Sequence, residues 1–173
     1  DLLIDPALAF GSGHHESTNM CLALLSELTR AGMSALDVGC GSGILSIAMK
    51  KLGAKVSACD TDEQAVAATQ QNAEKNGVQI DKIWLGSVSS LNEQGSSAVA
   101  QPQFDLVVAN IIADVILILS ADLKKALKPG GKLVLSGILE KYKDRIEQAF
   151  SDLSFICMKQ ENEWLSFVYE RKI

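Results

Sequence analysis

The feature that most constrains the fold of this chain is an alternation of short apolar runs with longer helical segments. Residues 35–39, 55–60 and 104–110 are short apolar runs that end at Gly, Asp or Asn. Residues 44–52 carry apolar side chains at helical spacing, and residues 62–77 begin with a capping Asp and end at Gly. Strands that alternate with helices form βαβ units, with parallel strands and helices on both faces of the sheet. We therefore expect an α/β fold built on a mostly parallel sheet.

The rest of the chain extends this pattern to seven strands. The last two strands flank a polar turn near residues 161–163, and such a short connection makes one of them antiparallel. We expect Pro129, Gly130 and Gly131 to end the long helix that precedes the fifth strand. The remaining predicted elements are strands at 82–87 and 132–138, helices at 114–131 and 140–150, and two strands within 154–172.

Composition and charge narrow the possible functions. The length of 173 residues suits one domain, and the net charge of −5 does not favour direct binding of nucleic acid. No apolar run approaches the roughly 20 residues of a membrane-spanning helix, so no membrane association is expected. The four cysteines lack metal-site spacing, and we expect buried or half-buried thiols in a reducing cytoplasm. They are Cys21, Cys40, Cys59 and Cys157.

Three glycines give the strongest signal of a binding site. Gly39, Gly41 and Gly43 stand two residues apart between a predicted strand and a predicted helix. Glycine permits a tight turn and a close approach to a ligand, and the helix start adds free N–H groups. The spacing matches neither the G-x-G-x-x-G dinucleotide fingerprint nor the G-x-x-x-x-G-K-S/T phosphate loop. A nicotinamide-dependent dehydrogenase is therefore not expected.

A carboxylate at the end of the second strand suits a nucleoside. Asp60 ends that predicted strand, where its two oxygens can accept hydrogen bonds from both hydroxyls of a ribose. Asp62 is the better candidate for capping the next helix. Asp60 is thus left for the ligand.

The glycine loop resembles that of S-adenosylmethionine-dependent methyltransferases, since the G-x-G-x-G spacing follows the acidic Asp37. The resemblance implies a Rossmann-like class I fold, S-adenosylmethionine as cofactor, S-adenosylhomocysteine as product, and no metal. It also implies a contact between adenine and Ser87, which closes the third predicted strand.

Asn110 ends the fourth predicted strand, at the edge of the sheet where ligands bind. Related methyltransferases that modify amide or aniline-like nitrogens carry Asn/Asp-Pro-Pro-aromatic at this point. This chain keeps the Asn and continues with Ile111, Ile112 and Ala113. An aliphatic amine has a localised lone pair but must lose a proton, which an apolar pocket favours. We therefore expect Asn110 to be catalytic and to orient an amine.

Longer stretches resemble a narrower family, the bacterial methyltransferases of large-subunit ribosomal protein L11. The similarity covers nearly all 173 residues. It implies repeated methylation of lysine side-chain and N-terminal amines, and cofactor contacts at Thr18, Gly39, Asp60 and Asn110. It is carried by DPALAFGSGHHESTNMCLALL, LDVGCGSGILSIAMKKLGA, DLVVANIIADVI, LKPGGKLVLSGIL and EWLSFV.

The opening residues are predicted to form a flap over the cofactor. His14 and His15 suggest a metal site, but no further ligand stands at a suitable spacing. We expect residues 1–33 to form a flap and a leading helix instead, with Phe10 as a hydrophobic lid and Thr18 as the cofactor contact. His15 matches a histidine of the family, and we expect it to help place the substrate amine.

The family also carries a separate N-terminal domain that recognises the ribosomal protein. We expect residues 1–173 to be the catalytic domain alone, a cytoplasmic monomer whose substrate is a large-subunit ribosomal protein. An RNA or small-molecule methyltransferase of the same fold is the first alternative, and only acidity and the missing Pro-Pro-aromatic disfavour RNA. A binding module without catalysis is the second alternative, which Asp60 and Asn110 disfavour.

Overall fold

A single sheet with helices on both faces makes up the protein in the computed structural model, which describes residues 15–89 and 102–173. The strands are β1 Ser34–Val38, β2 Lys55–Asp60, β3 Lys82–Leu85, β4 Phe104–Asn110, β5 Leu127–Leu139, β6 Ser154–Glu161 and β7 Trp164–Glu170. The α-helices are α1 His15–Leu28, α2 Ile44–Lys51, α3 Glu63–Lys75, α4 Ala113–Lys125 and α5 Lys143–Ala149, the last preceded by a 3-10 turn at Glu140–Tyr142.

The strand order is β3-β2-β1-β4-β5-β7-β6. Strands β1 to β5 are parallel, whereas β7 pairs antiparallel with both β5 and β6. The predicted seven-stranded sheet with one antiparallel strand is confirmed, and the antiparallel strand is β7. The chain order reverses between β1 and β4, which is the switch point where open α/β sheets bind ligands.

The centre of the sheet is buried on both faces. In β4 the side chains of Val107 and Ala109 face the apolar cluster under α4 and α5. Leu106 and Val108 face the cluster under α1 and α2. This alternation follows from the two-residue period of a strand, and it explains why β4 is a continuous apolar run.

Several boundaries agree with the sequence patterns. The strands at 55–60 and 104–110 were predicted to the residue. The Asp62 side chain caps α3 by accepting a hydrogen bond from Gln64 N at 2.9 Å, as predicted.

The boundary between α4 and β5 was predicted wrongly. The helix ends at Lys125 rather than at 131, and β5 already begins at Leu127. Gly130 N donates to Arg171 O at 2.8 Å and Arg171 N donates to Gly131 O at 2.9 Å, so the turn glycines pair with the end of the chain. The pairing of β5 with β4 shifts register here, since Leu127 pairs with Phe104 and Lys132 pairs with Leu106. The Pro-Gly-Gly sequence therefore marks an irregular strand, not a helix end.

Some predicted features lie outside the described residues. They are Phe10, His14, the rest of the flap before His15, and most of the polar loop that follows Ser89. Within 15–89 and 102–173, no helix combines the length and the apolar character needed to span a membrane.

Candidate cofactor and substrate site

A cavity of about 400 Å³ opens at the carboxyl ends of β1, β2 and β4, at the switch point of the sheet. Among the described residues, its lining combines glycine-loop backbone, polar strand ends and an apolar wall from α4. The lining residues are Thr18, Val38, Gly39, Cys40, Gly41, Ser42, Ile44, Leu45, Asp60, Thr61, Asp62, Ala65, Gly86, Ser87, Asn110, Ile111, Ile112, Val115 and Leu119.

The glycine loop needs its glycines for different physical reasons. Gly39, Gly41 and Gly43 all have positive φ angles, of 76°, 55° and 87°. A Cβ on Gly39 would lie 2.5 Å from Ile111 Cγ2, so this glycine lets the loop approach the end of β4. A Cβ on Gly41 would meet nothing within 4 Å, which leaves open space beside its backbone. A Cβ on Gly43 would lie 2.9 Å from Thr69 Cα, so this glycine admits α3.

Two buried polar side chains of α3 hold this loop, and the sequence patterns did not single them out. Thr69 Oγ1 donates to Gly41 O at 3.1 Å, and Asn72 Nδ2 donates to Ser42 O at 2.8 Å. Both residues are fully buried. Because they satisfy two loop carbonyls, they help to hold the loop in this conformation. Their signal in the sequence was two polar residues three apart on the buried face of a helix.

Asp60 connects the glycine loop to the start of α3. Its Oδ2 accepts a hydrogen bond from Gly41 N at 3.0 Å, and its Oδ1 accepts one from Asp62 N at 2.9 Å. A carboxylate offers about four acceptor positions, so each oxygen keeps one for a ligand in the cavity. This geometry suits two adjacent hydroxyls.

Asn110 carries an unsatisfied acceptor at the cavity. Its Nδ2 lies 3.5 Å from Thr18 Oγ1, which receives the hydrogen bond. Its Oδ1 is buried and has no hydrogen-bond partner among residues 15–89 and 102–173. A buried amide oxygen without a donor costs free energy, so the site is suited to a ligand that brings an N–H or O–H group. Ile111 and the half-exposed Ile112 provide apolar surface next to it.

Asp37 is a buried acid beneath the glycine loop. Its Oδ2 accepts a hydrogen bond from Ser46 Oγ at 2.6 Å, while its Oδ1 has no hydrogen-bond partner within the described ranges. Burial raises the pKa of Asp37 to about 6, and the charge of Asp60 adds to the rise, whereas the Ser46 hydrogen bond opposes it. The acid preceding the loop is therefore a structural residue with an unusual titration, and it does not line the cavity.

The cysteines behave as predicted from their spacing. Cys21, Cys40 and Cys59 are buried and Cys157 is half-buried, all as free thiols. Burial raises the thiol pKa of Cys21 and Cys40 far above the usual range, and that of Cys59 to about 12. Within the described part of the chain, no group of three or more His, Cys, Asp or Glu side chains could hold a metal.

The cavity brings together six of the residues that the sequence singled out: Thr18, Gly39, Gly41, Asp60, Ser87 and Asn110. Gly43 and His15 are not among the described residues that line it. Gly43 lies against α3, and His15 is exposed at the first residue of α1. Phe10 lies outside the described residues. The roles assigned to these residues stay predictions.

Comparison with known proteins identifies relatives of the whole chain. The family model described as ribosomal protein L11 methyltransferase matches residues 1–172. The ribosomal protein L11 methyltransferase of Campylobacter concisus is 60% identical over 170 residues, covering 98% of this chain and 58% of that protein. The protein of that name from Campylobacter fetus subsp. fetus is 56% identical over 174 residues, covering 99% and 60%. The chain thus spans about three fifths of the length of these curated relatives.

Solved structures agree with the sheet topology. The crystal structure of a ribosomal protein L11 methylase from Lactobacillus delbrueckii subsp. bulgaricus has a TM-score of 0.85 at 32% identity, covering 98% of this chain and 84% of that one. The 16S rRNA N2 G1207 methyltransferase of T. thermophilus, solved with AdoMet and guanosine, has a TM-score of 0.72 at 21% identity. The match covers 98% of this chain and 46% of the rRNA methyltransferase chain, and it shows only that the two share a fold.

Proposed function

This chain belongs to the ribosomal protein L11 methyltransferase family, and on that premise we propose that it transfers methyl groups from S-adenosylmethionine to amines of a large-subunit ribosomal protein. The acceptors are lysine side-chain and N-terminal amines. Because the chain spans about three fifths of the length of its curated relatives, this activity is a proposal.

The described residues fit S-adenosylmethionine. A cavity of about 400 Å³ is in the range of small-molecule sites, which is roughly 300–1,000 Å³. The spare acceptor positions of Asp60 suit the two ribose hydroxyls, and the open side of Gly41 leaves room for the nucleoside. Ser87 stands at the end proposed for adenine. At the other end, the first N–H groups of α1 beside Thr18 suit a carboxylate.

The observation that carries the proposal is Asn110, which lines the cavity and whose buried Oδ1 has no hydrogen-bond partner among the described residues. When bound, S-adenosylmethionine supplies an electrophilic methyl group on a sulfonium centre. On this proposal the amine approaches Asn110 so that one of its N–H groups donates a hydrogen bond to the Asn110 oxygen, which orients the nitrogen lone pair. Holding the two reactants in line accounts for most of the rate enhancement, because the geometry converts a bimolecular step into an intramolecular one.

The apolar residues beside Asn110 favour the uncharged form of the substrate amine. A free lysine has a pKa of about 10.4, so its amine is protonated near neutral pH. Ile111 and Ile112 border the site beside Asn110, and their apolar surface disfavours the charged ammonium form. Loss of that proton to solvent leaves the neutral nucleophile. Asn110 and the two isoleucines would then hold the neutral amine toward the methyl group that a bound S-adenosylmethionine would supply.

His15 is proposed to act at the mouth of the cavity. It precedes Thr18 by three residues on α1, so the two side chains share one face of the helix. Its exposed position suits a contact with the protein substrate near the target amine.

We propose a cytoplasmic location for the protein, because ribosomal proteins are made and assembled in the cytoplasm. It uses no metal, because the sulfonium leaves as a neutral thioether and needs no Lewis acid. We also propose that the protein is a monomer. The net charge of −5 suits a basic protein substrate better than RNA.

Methyl transfer from labelled S-adenosylmethionine tests the function. We expect label in purified ribosomal protein L11 and none in ribosomal RNA. Asn110→Ala should reduce kcat by about 100-fold, in line with the loss of a positioned acceptor in the transition state, and should still bind S-adenosylhomocysteine. Full activity of that variant would remove Asn110 from the mechanism, and label in RNA would refute the proposed substrate.

A further inference from the structure

Three buried serines meet where the first turn of α1 crosses the carboxyl-terminal part of β5 and the amino-terminal part of β7. Ser17 of α1, Ser136 of β5 and Ser166 of β7 are each fully buried. The Ser136 and Ser166 hydroxyl oxygens are 2.6 Å apart, and Ser136 Oγ is 3.2 Å from Ser17 O. We call this connected set the serine relay.

The direction of the serine relay follows from its acceptors. The Ser17 carbonyl can only accept, so the Ser136 hydroxyl donates its single proton there. The hydroxyl of Ser166 must then donate to Ser136 Oγ. Two strands are thereby connected, through side chains alone, to the backbone of the first turn of α1.

The serine relay interrupts an apolar surface. Two residues away from it, Val134 of β5 and Val168 of β7 pair with each other in the core under α1. A buried hydroxyl costs free energy unless it is hydrogen-bonded, so a valine-like residue would serve packing better at Ser136 and Ser166. The hydroxyls can form directional hydrogen bonds that fix the position of α1, and apolar side chains cannot form such bonds.

The backbone of β5 also brings this point close to Asn110. Gly137 has a φ of 80°, and the pairing with β7 shifts register between Leu135 and Ile138. A Cβ at Gly137 would lie 3.0 Å from Asn110 Oδ1 and 2.9 Å from Ile111 O. The kink that places Ser136 under α1 therefore also packs β5 against the end of β4.

We propose that Ser136 and Ser166 are positioning residues of the cofactor and substrate site. They fix the first turn of α1, so that its N–H groups and Thr18 face the amino-acid end of the cofactor. Thr18 Oγ1 in turn accepts a hydrogen bond from Asn110 Nδ2, which fixes the Asn110 amide at the edge of the cavity. This inference rests on the proposed function, because it assigns the α1 end of the cavity to the methionine part.

Calorimetry with two probes on the 173-residue chain separates positioning from folding. S-adenosylhomocysteine carries the amino-acid end, whereas 5′-methylthioadenosine lacks it and reports the nucleoside end alone. Ser136→Ala removes both relay hydrogen bonds, and we expect its affinity for S-adenosylhomocysteine to fall about tenfold, with unchanged affinity for 5′-methylthioadenosine. Ser166→Ala keeps the bond to Ser17 O and should show a smaller loss, of about threefold.

Tyr169→Phe is the matched control. Tyr169 lies on β7 three residues from Ser166, and its buried hydroxyl has no hydrogen-bond partner in the described part of the chain. This variant should bind both probes like the unsubstituted chain. Equal affinity of Ser136→Ala and the unsubstituted chain for S-adenosylhomocysteine would overturn the inference, as would an equal loss for both probes. Failure of the unsubstituted chain to bind S-adenosylhomocysteine would instead refute the proposed function.

Discussion

At the scale of single residues, Asp60 and Asn110 combine stabilising contacts with spare capacity for a ligand. Asp60 accepts hydrogen bonds from two backbone N–H groups and keeps acceptor positions for the cavity, whereas the Asn110 oxygen finds no donor among the residues that the structure describes. Both were predicted from their places at strand ends. Their hydrogen bonds to Gly41, Asp62 and Thr18 could not be predicted, because each depends on the path of a neighbouring loop or helix.

Replacing Asp60 should weaken cofactor binding far more than it weakens the fold. We expect Asp60→Ala to lower the affinity for S-adenosylhomocysteine by about 100-fold, since a charged acceptor contributes roughly 1.5–3 kcal/mol per hydrogen bond. Calorimetry measures this loss. Asp105→Ala is the control, because its carboxylate also accepts a backbone N–H, from Ser34, but lies at the opposite end of β4. Equal affinities in the two variants would refute the ribose assignment.

The raised pKa of Asp37 predicts a specific pH dependence of stability. Between pH 4 and pH 6 the native carboxyl, with its pKa of about 6, stays protonated while the unfolded one ionises. The native state then binds more protons, so the free energy of unfolding falls as pH rises through this window and levels off above it. Over the window this contribution falls by roughly 2–3 kcal/mol.

Chemical denaturation at several pH values isolates the contribution of Asp37 by comparison with Asp37→Asn. Asp81, Asp105 and Asp152 have lowered pKa values and contribute the opposite trend, but equally in both proteins. The stability of Asp37→Asn relative to the unsubstituted chain should therefore rise between pH 4 and pH 7. A difference independent of pH would show that Asp37 has an ordinary pKa.

At the scale of elements, the glycine loop and α3 form one unit. Thr69 and Asn72 bond to loop carbonyls, and Gly43 allows the contact by leaving space for the α3 backbone. The site therefore depends on a helix that contributes few of the cavity's lining residues.

Gly43→Ala tests this contact against a glycine of similar backbone conformation. Its Cβ would lie 2.9 Å from Thr69 Cα, in addition to the strain of a φ of 87°. We expect a loss of at least about 3 kcal/mol in the free energy of unfolding, as strain and overpacking add. Gly77→Ala carries only the strain, with a φ of 69° and nothing within 4 Å, and should lose about 1 kcal/mol. Similar losses of unfolding free energy in the two variants would mean that α3 moves away from the added Cβ at little cost.

The same scale shows what sequence patterns predict. Apolar runs and caps placed β2, β4 and the start of α3, because burial on both faces and a capping carboxylate leave local signatures. The end of α4 was misplaced because Pro129 and Gly130 have the same local preference in a helix stop and in an irregular strand. Thr69, Asn72, Ser136 and Ser166 were missed because a buried polar residue gains meaning only from a partner distant in sequence.

At the scale of the whole molecule, the observations that establish the fold differ from those that support the proposed substrate. The sheet order and the cavity at its switch point are properties of a fold that carries many reactions. The choice of a protein amine rests on family membership, on the apolar wall of α4, and on the acceptor at Asn110.

Mass spectrometry of ribosomal proteins from cells with and without the full-length gene tests the central claim most directly. In cells that have the gene, one large-subunit protein should carry mass increments of whole methyl groups on lysine and N-terminal amines. Deletion should remove them, and expression of the Asn110→Ala protein should not restore them. The account would be contradicted if the ribosomal proteins had identical masses in both strains while the ribosomal RNA of the deletion strain lacked a methyl group.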